Sequence, residues 1–261
     1  MRAAAQKRIA SSSSSVAPPD GLERPTFPGF SPDALDFLRK LARNNRREWF
    51  KPRKHIYDSE IHAPMLQLIA AINASLGKFA PRYVLAPQKA MLRIYRDTRF
   101  SANKLPYKKH VSALFPRAGA SRTSGACFYF HFTEKELLIF AGVWNPPADE
   151  LRAIRGFLAE RHAELERILR AKAVRDLFGE MQGEQLTRVP AGFSKEHAAG
   201  ELLRGKQWYL ESTLPAQVLL GAGAVAEIVR HFRAAAPFVE FMNQPLLARK
   251  PARPDILQFS F

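Results

Sequence analysis

Cysteine is nearly absent from this chain: Cys127 is the only one among 261 residues. No intramolecular disulfide can form, and every zinc site that needs two or more thiolates is excluded. Cys127 lies in the apolar run Ala126-Cys127-Phe128-Tyr129-Phe130, where a small buried residue is expected. Long apolar runs are missing as well. None approaches the roughly 18–20 residues that a membrane-spanning helix requires. The seven histidines, His55, His62, His110, His131, His162, His197 and His231, form neither His-x-His nor His-Glu-x-x-His, so metal-hydrolase spacing is lacking. There is no Gly-x-Ser-x-Gly elbow, no Walker phosphate loop and no Gly-x-Gly-x-x-Gly between a strand and a helix. Gly221-Ala222-Gly223 reads as a flexible turn. These absences leave no catalytic residue, metal or cofactor assigned.

Acidic residues are scarce: 24 Asp+Glu face 40 Lys+Arg, for a net charge of +16 and a pI near 10.3. Such a balance favours acidic partners without naming one. Hydrophobic residues at 46% and charged ones at 25% describe a chain that folds. Residues 1–26 and 246–261 each carry only +2, so +12 belongs to the remainder. Residues 1–24, with the run Ser11 to Ser15 and no apolar stretch suited to secretion, are expected to be a disordered basic tail. Their Arg- and Ser-rich start also has the character of an organellar transit peptide. Residues 248–261 are expected to form an extended basic tail, draped over the domain through Ile256, Leu257, Phe259 and Phe261. The lack of disulfides fits a cytoplasmic location.

Periodicity then predicts the fold. Ser31-Pro32-Asp33 combines a capping hydroxyl, a proline at the first helical position and an acid in the first turn. Leu35, Phe37, Leu38 and Leu41 follow at helical spacing. Asn45, with Glu48 three residues on, resembles a second N-cap. The next helical stretch carries Trp49, Phe50, Ile56 and Tyr57, and a further helix covers about 64–76. The centre changes to strand patterns at 91–96, 111–115, 126–132 and 137–143, with 133–136 as a hairpin turn. A long helix from Asn145-Pro146-Pro147 to about Ala171, a short one near 174–181 and a last one over 225–242 follow, with strands expected at 186–189 and 207–212 and a helical piece near 196–204. This order predicts an α+β fold: a mainly antiparallel central sheet flanked by helices, in a single domain over residues 25–247.

The densest segment is Arg93 to Lys109, RIYRDTRFSANKLPYKK, with six basic residues against Asp97 and a net of +5. On a regular strand Arg93 and Arg96 point to opposite faces, unless a bulge intervenes. Past Asp97 periodicity disappears, which predicts an ordered loop, a common carrier of function on a rigid scaffold.

Arg93, Arg96-Asp97, Arg99-Phe100, Lys104 and Tyr107 fit the pattern R-x-x-R-D-x-R-F-x-x-x-K-x-x-Y. In this the chain resembles the bacterial family called domain of unknown function 2461. Phe27 to Phe30, Asn44-Asn45 with Trp49-Phe50, Gly142 to Pro146, and Arg188-Val189-Pro190 with Gly192-Phe193 are similar too. The resemblance covers about residues 25–245. It implies a shared fold and brings no established activity.

The residues of the pattern suggest an anion site built from Arg93, Arg96, Asp97, Arg99, Lys104, Tyr107 and Lys108. Guanidinium forks suit carboxylate or phosphate, and lysine adds a point charge. Tyr107 and Ser101 offer hydroxyls, and Asp97 can orient one arginine while leaving another free. The ligand classes are nucleic-acid backbone and phosphorylated small molecules. One alternative is an enzyme acting on a phosphorylated or carboxylated substrate, with the arginines as charge stabilisers. In another, Asp97 pairs with an arginine to hold the loop while Phe100 and Tyr107 anchor it. A second basic stretch, Arg39 to Lys54, nets +7. It reads as a solvated helix face, with Trp49 and Phe50 in the core, and it adds to a nucleic-acid groove if it lies beside the loop. No zinc-finger, RNP or recognition-helix pattern accompanies it. His110 is expected to be a surface imidazole, and Glu134 and Glu136 solvated turn carboxylates.

Overall fold

A computed structural model describes residues 26–247 apart from Phe100, Ser121 and Thr123. The two expected tails lie outside the described residues. Helix α1 (Pro32–Arg43) buries Leu35, Phe37, Leu38 and Leu41, as its spacing predicts. Ser31 stands at its N-cap, but the hydroxyl donates to Glu60 Oε2 at 2.6 Å and makes no capping bond. The chain from Arg47 to Phe79 is helical throughout: α2 (Arg47–Phe50), a 3-10 turn that accommodates Pro52, α3 (Lys54–Tyr57), a π turn over Asp58–His62, and α4 (Ala63–Phe79). Arg46, not Asn45, is the N-cap of α2. The Asn45 side chain is engaged elsewhere, as described below.

After α5 (Pro87–Ala90), four strands form an antiparallel sheet in the order β1-β2-β3-β4: β1 (Val111–Phe115), β2 (Ala126–Phe132), β3 (Glu136–Val143) and β4 (Trp208–Pro215). β2 and β3 make the expected hairpin, whose turn closes with Thr133 Oγ1 accepting from the amides of Lys135 and Glu136. Between β3 and β4 run α6 (Ala148–Leu169), α7 (Lys172–Phe178) and α8 (Gly200–Arg204). The last helix, α9 (Gly223–Leu247), lies across β2 and β3 and against α4 and α6.

Alternation along the strands divides the sheet into two faces. Phe128, Phe130, Phe132, Leu137, Ile139 and Leu210 face the helices and belong to the main core. Leu114, Cys127, Tyr129 and Phe140 form a separate buried cluster on the other face, with Leu92, Leu138, Trp144 and Tyr209 packed against it. Burial on both faces explains why β2 and β3 read as nearly continuous apolar runs. Cys127 is buried as expected, and burial pushes its thiol up to about 12.

Two expected strands are not strands. Leu186–Val189 is extended chain in which the Leu186 amide bonds the Arg204 carbonyl at 2.7 Å; a helix end offers isolated carbonyls, not a ladder. The segment 91–96 touches its partner chain only at the bridges Met91↔Ala113 and Tyr95↔Tyr107. Three residues on one side oppose five on the other between these bridges, so the ladder breaks.

Sheet and last helix are joined by a buried amide. Asn243, 3% exposed, donates to Tyr83 Oη at 2.9 Å and to the Ala126 carbonyl at 2.8 Å, and accepts from the Ala126 amide at 2.9 Å. Gly125 (φ +72°) makes room: a Cβ there would stand 2.3 Å from Asn243 Oδ1. Asn243→Ala leaves the first amide of β2 unsatisfied in the interior. We expect it to cost about 3 kcal/mol, read as a lowered urea midpoint with unchanged slope.

Candidate functional site

The segment 91–96 runs beside β1 and folds back on 106–110 as an irregular ribbon. Leu92 N donates to Ser112 O (2.9 Å), Lys108 N to Ile94 O (2.8 Å) and Arg96 N to Pro106 O (2.9 Å). Its base is tied down from two sides. Asn45 pairs with the Tyr107 backbone at both ends of its amide, Nδ2 to O at 2.9 Å and N to Oδ1 at 3.0 Å. Phe50 stacks on the Tyr107 ring at 4.2 Å and 23°. Tyr107 is accordingly 2% exposed, and its phenol lies within electrostatic reach of Arg47 and Glu48.

The two unequal sides make a bulge within 108–112, and a bulge re-aims side chains. Arg93 and Arg96 both come within electrostatic reach of Lys108. Lys108 is half-buried, and its ammonium is held below its usual range first by burial, then by the two guanidiniums. Among the described residues none of these three cations forms an ion pair. Arg96 Nη2 makes one long contact with Ser101 Oγ, at 3.4 Å.

Asp97, the only acid of the segment, is otherwise engaged. It accepts from Arg99 Nη2 (2.7 Å), Nε (3.1 Å) and the amide (3.2 Å). These bonds, with the charges of Arg99 and Arg93 nearby, hold its carboxyl down to about 2. Lys104 Nζ donates to Thr98 O at 2.9 Å. Asp97, Arg99 and Lys104 thus shape the exposed tip, while Arg93, Arg96 and Lys108 gather at its base. Phe100 lies outside the described residues.

Next to Lys108, the rings of His110 and His131 stand 4.7 Å apart. His110 is half-buried, which corrects the expectation of a surface imidazole. Burial lowers it to about 3, helped by His131, Lys108 and Arg96; His131 falls to about 4 through burial and Lys108. His131 Nδ1 is buried with no hydrogen-bond partner among the described residues. Sequence reasoning passed over His131. The available signal was its alternation with Tyr129 and Cys127, on the face away from Phe128, Phe130 and Phe132.

The second basic stretch adjoins this ribbon through the Asn45 and Phe50 contacts. Trp49 and Phe50 pack on Phe37, as expected for core rings. Arg53 lies over Trp49 at 4.9 Å, and Lys54 pairs with Asp58. Arg46, Arg47 and Lys51 are exposed. One further cluster has catalytic-looking composition: His231 Nε2 is 3.2 Å from Ser212 Oγ, and Nδ1 is 3.5 Å from Glu227 Oε1. His231 is 1% exposed and its Nδ1 bonds the Glu227 carbonyl at 2.9 Å, so the contact joins α9 to β4 inside the core.

The family model described as "Conserved hypothetical protein (DUF2461)" matches residues 33–241. The chain belongs to that family. No curated protein and no solved structure matches it. In this DUF2461 member the match spans the ribbon, all four strands and most of α9. No described helix is long and apolar enough to cross a membrane.

Two tests address this geometry. Asn45→Ala should speed hydrogen exchange over 91–110 while exchange in β2 and β3 stays slow. Because His110 and His131 stay neutral in the fold to about pH 3 and 4, the unfolded chain binds more protons between there and its ordinary value near 6.5. Stability should therefore fall as pH drops from about 6.5 toward 4, and the double variant His110→Gln, His131→Gln should flatten that loss in denaturation midpoints.

Proposed function

We propose that this protein binds an anionic ligand at the base of the ribbon, where Arg93, Arg96 and Lys108 hold its phosphate or carboxylate group. One observation carries the reading: half-buried Lys108 lies within electrostatic reach of Arg93 and Arg96, while the one acid of the segment, Asp97, is bonded by Arg99 and reaches only Arg93 among the three. Burying an ammonium next to two guanidiniums is unfavourable without a counter-charge. A bound oxyanion removes that penalty, and guanidinium forks fit its geometry. Asp97, Arg99, Lys104 and Tyr107 serve the same site by setting the shape of the loop. Nucleic-acid backbone and phosphorylated small molecules are the two ligand classes.

An enzyme acting on a phosphorylated or carboxylated substrate is the second reading. It is favoured by the two imidazoles beside the cations, which stay neutral at neutral pH and so offer ring nitrogens as hydrogen-bond donors and acceptors to a substrate.

The binding reading separates function from stability. Lys108→Met should leave the thermal midpoint unchanged or raise it, since it removes like-charge crowding. The same change, like Arg96→Ala, should weaken anion binding about ten- to hundredfold, the worth of a charge-assisted hydrogen bond. Calorimetric titration with inorganic phosphate, pyrophosphate and oligonucleotide, beside thermal melts, checks this. A large loss of stability in both variants, with no ligand-dependent shift in the parent, would overturn it.

A further inference from the structure

Solvent-facing aromatic rings are rare in this protein. Among the described residues the exposed large apolar side chains are Val84, Tyr95 and Leu247, and Tyr95, at 47%, is the one ring among them. It stands on the charged ribbon. Ile94 is 3% exposed and belongs to the main core, whereas Arg93 and Tyr95 on either side of it both face solvent. The Tyr95 ring rests against Phe50 and Tyr107, with centroids 6.1 Å and 5.4 Å away. Lys54 lies within its electrostatic reach. Tyr95 therefore sits where the ribbon meets the helical stretch that begins with α2. A single exposed ring needs no ligand; the charges around this one supply the second observation. On the ribbon side Arg93 is exposed, and half-buried Arg96 and Lys108 lie at the base. On the helical side Arg46, Arg47 and Lys51 are exposed, and Arg47 is within electrostatic reach of Tyr107. Residues 46–58 hold five Lys+Arg against Glu48 and Asp58, and Lys54 already pairs with Asp58.

We infer that this junction binds single-stranded nucleic acid, with a base stacked on Tyr95 and the phosphates on its two sides held by Arg93, Arg96 and Lys108 and by Arg46, Arg47 and Lys51. The inference rests on the anion-binding reading and names its ligand. A phosphorylated small molecule engages one cluster of cations. Here cations stand on two elements with a ring at their junction, and a strand presents the same order of phosphate, base and phosphate. Duplex bases are stacked on one another and offer no free face to Tyr95, whereas every base of a single strand does. A ring that reads faces and cations that read the backbone also explain why no base-reading motif accompanies the charge. The two sides are held in register before any ligand arrives: Asn45 bonds the Tyr107 backbone at both ends of its amide, and Phe50 stacks on the Tyr107 ring. Such preorganisation lowers the ordering cost of binding.

The test is fluorescence anisotropy with a labelled 20-mer of deoxythymidine, using the matching duplex, inorganic polyphosphate and thymidine monophosphate as competitors. The single strand should bind most tightly, with affinity falling steeply as salt rises. Tyr95→Leu should weaken it roughly tenfold, within the range for loss of one stacked base, and leave polyphosphate binding unchanged, while Tyr95→Phe retains both. Arg47→Ala combined with Lys51→Ala should weaken the 20-mer and spare inorganic phosphate, which the ribbon holds. Lys172→Met, at an exposed cation on α7, should change neither. Ultraviolet cross-linking of a bromodeoxyuridine strand to the unmodified protein should mark the peptide containing Tyr95. Parent-like binding by Tyr95→Leu with no cross-link at Tyr95 would overturn the inference, as would equal affinity for duplex, or a loss from Lys172→Met as large as from Arg47→Ala with Lys51→Ala. The monophosphate competing as well as the 20-mer overturns it too. In each of these cases Lys108→Met still weakening phosphate leaves the anion site standing. Binding of no polyanion, phosphate included, sinks both readings together.

Discussion

The attachment of Tyr107 to the helical layer is the constraint on which the charged ribbon depends. Asn45 satisfies both backbone groups of Tyr107, and Phe50 covers its ring. A segment with a net charge of +5 has little reason to fold against itself. Self-repulsion and chain entropy both favour an open loop. A buried aromatic side chain opposes them with its apolar surface, and the two amide bonds prevent the burial from leaving backbone groups unsatisfied. Arg93, Arg96 and Lys108 lie on the two sides of the ribbon that this anchor ties to the helices.

Once anchored, the ribbon divides its charges. The Asp97–Arg99 fork and the Lys104 bond to Thr98 are local contacts that give the tip a shape. Asp97 is bonded at the tip and still lies within electrostatic reach of Arg93, whereas Arg96 and Lys108 at the base have no acid bonded to them among the described residues. The structural reading of the pattern therefore applies at the tip, and the proposed anion site is confined to the base. The neutral imidazoles extend the base toward the sheet: with positive charge already dense, His110 and His131 remain unprotonated far below their ordinary values. The opposite side of the sheet shows the ordinary alternative, where His231 is spent on a helix-to-strand contact and no ligand can reach it.

Much of the fold was legible. Apolar spacing identified α1, α6 and α9, and continuous β-branched and aromatic runs identified β1, β2 and β3, because local period and final burial agree there. Disagreement arose where a side chain found a distant partner. Ser31 reaches Glu60 instead of capping α1, and Asn45 reaches Tyr107 across 62 residues instead of capping α2. Segments 91–96 and 186–189 have strand-like composition but face a bulge and a helix end, so no regular ladder forms. The charge of the site was equally legible, whereas the inward turn of His110 and the presence of His131 were not.

By itself the sequence determined the α+β class, the +5 segment and its single acid, and the family to which the chain belongs. Composition and period carry that information locally. The tertiary structure decided which cations meet. Alternation alone sends Arg93 and Arg96 to opposite faces, yet in the folded ribbon, whose two sides differ by two residues between its bridges, both lie within electrostatic reach of Lys108. It also decided that the cluster lies at the end of an aromatic sheet face, because register between β3 and β4, whose partners are 65 to 79 residues apart in the chain, cannot be read from either strand alone.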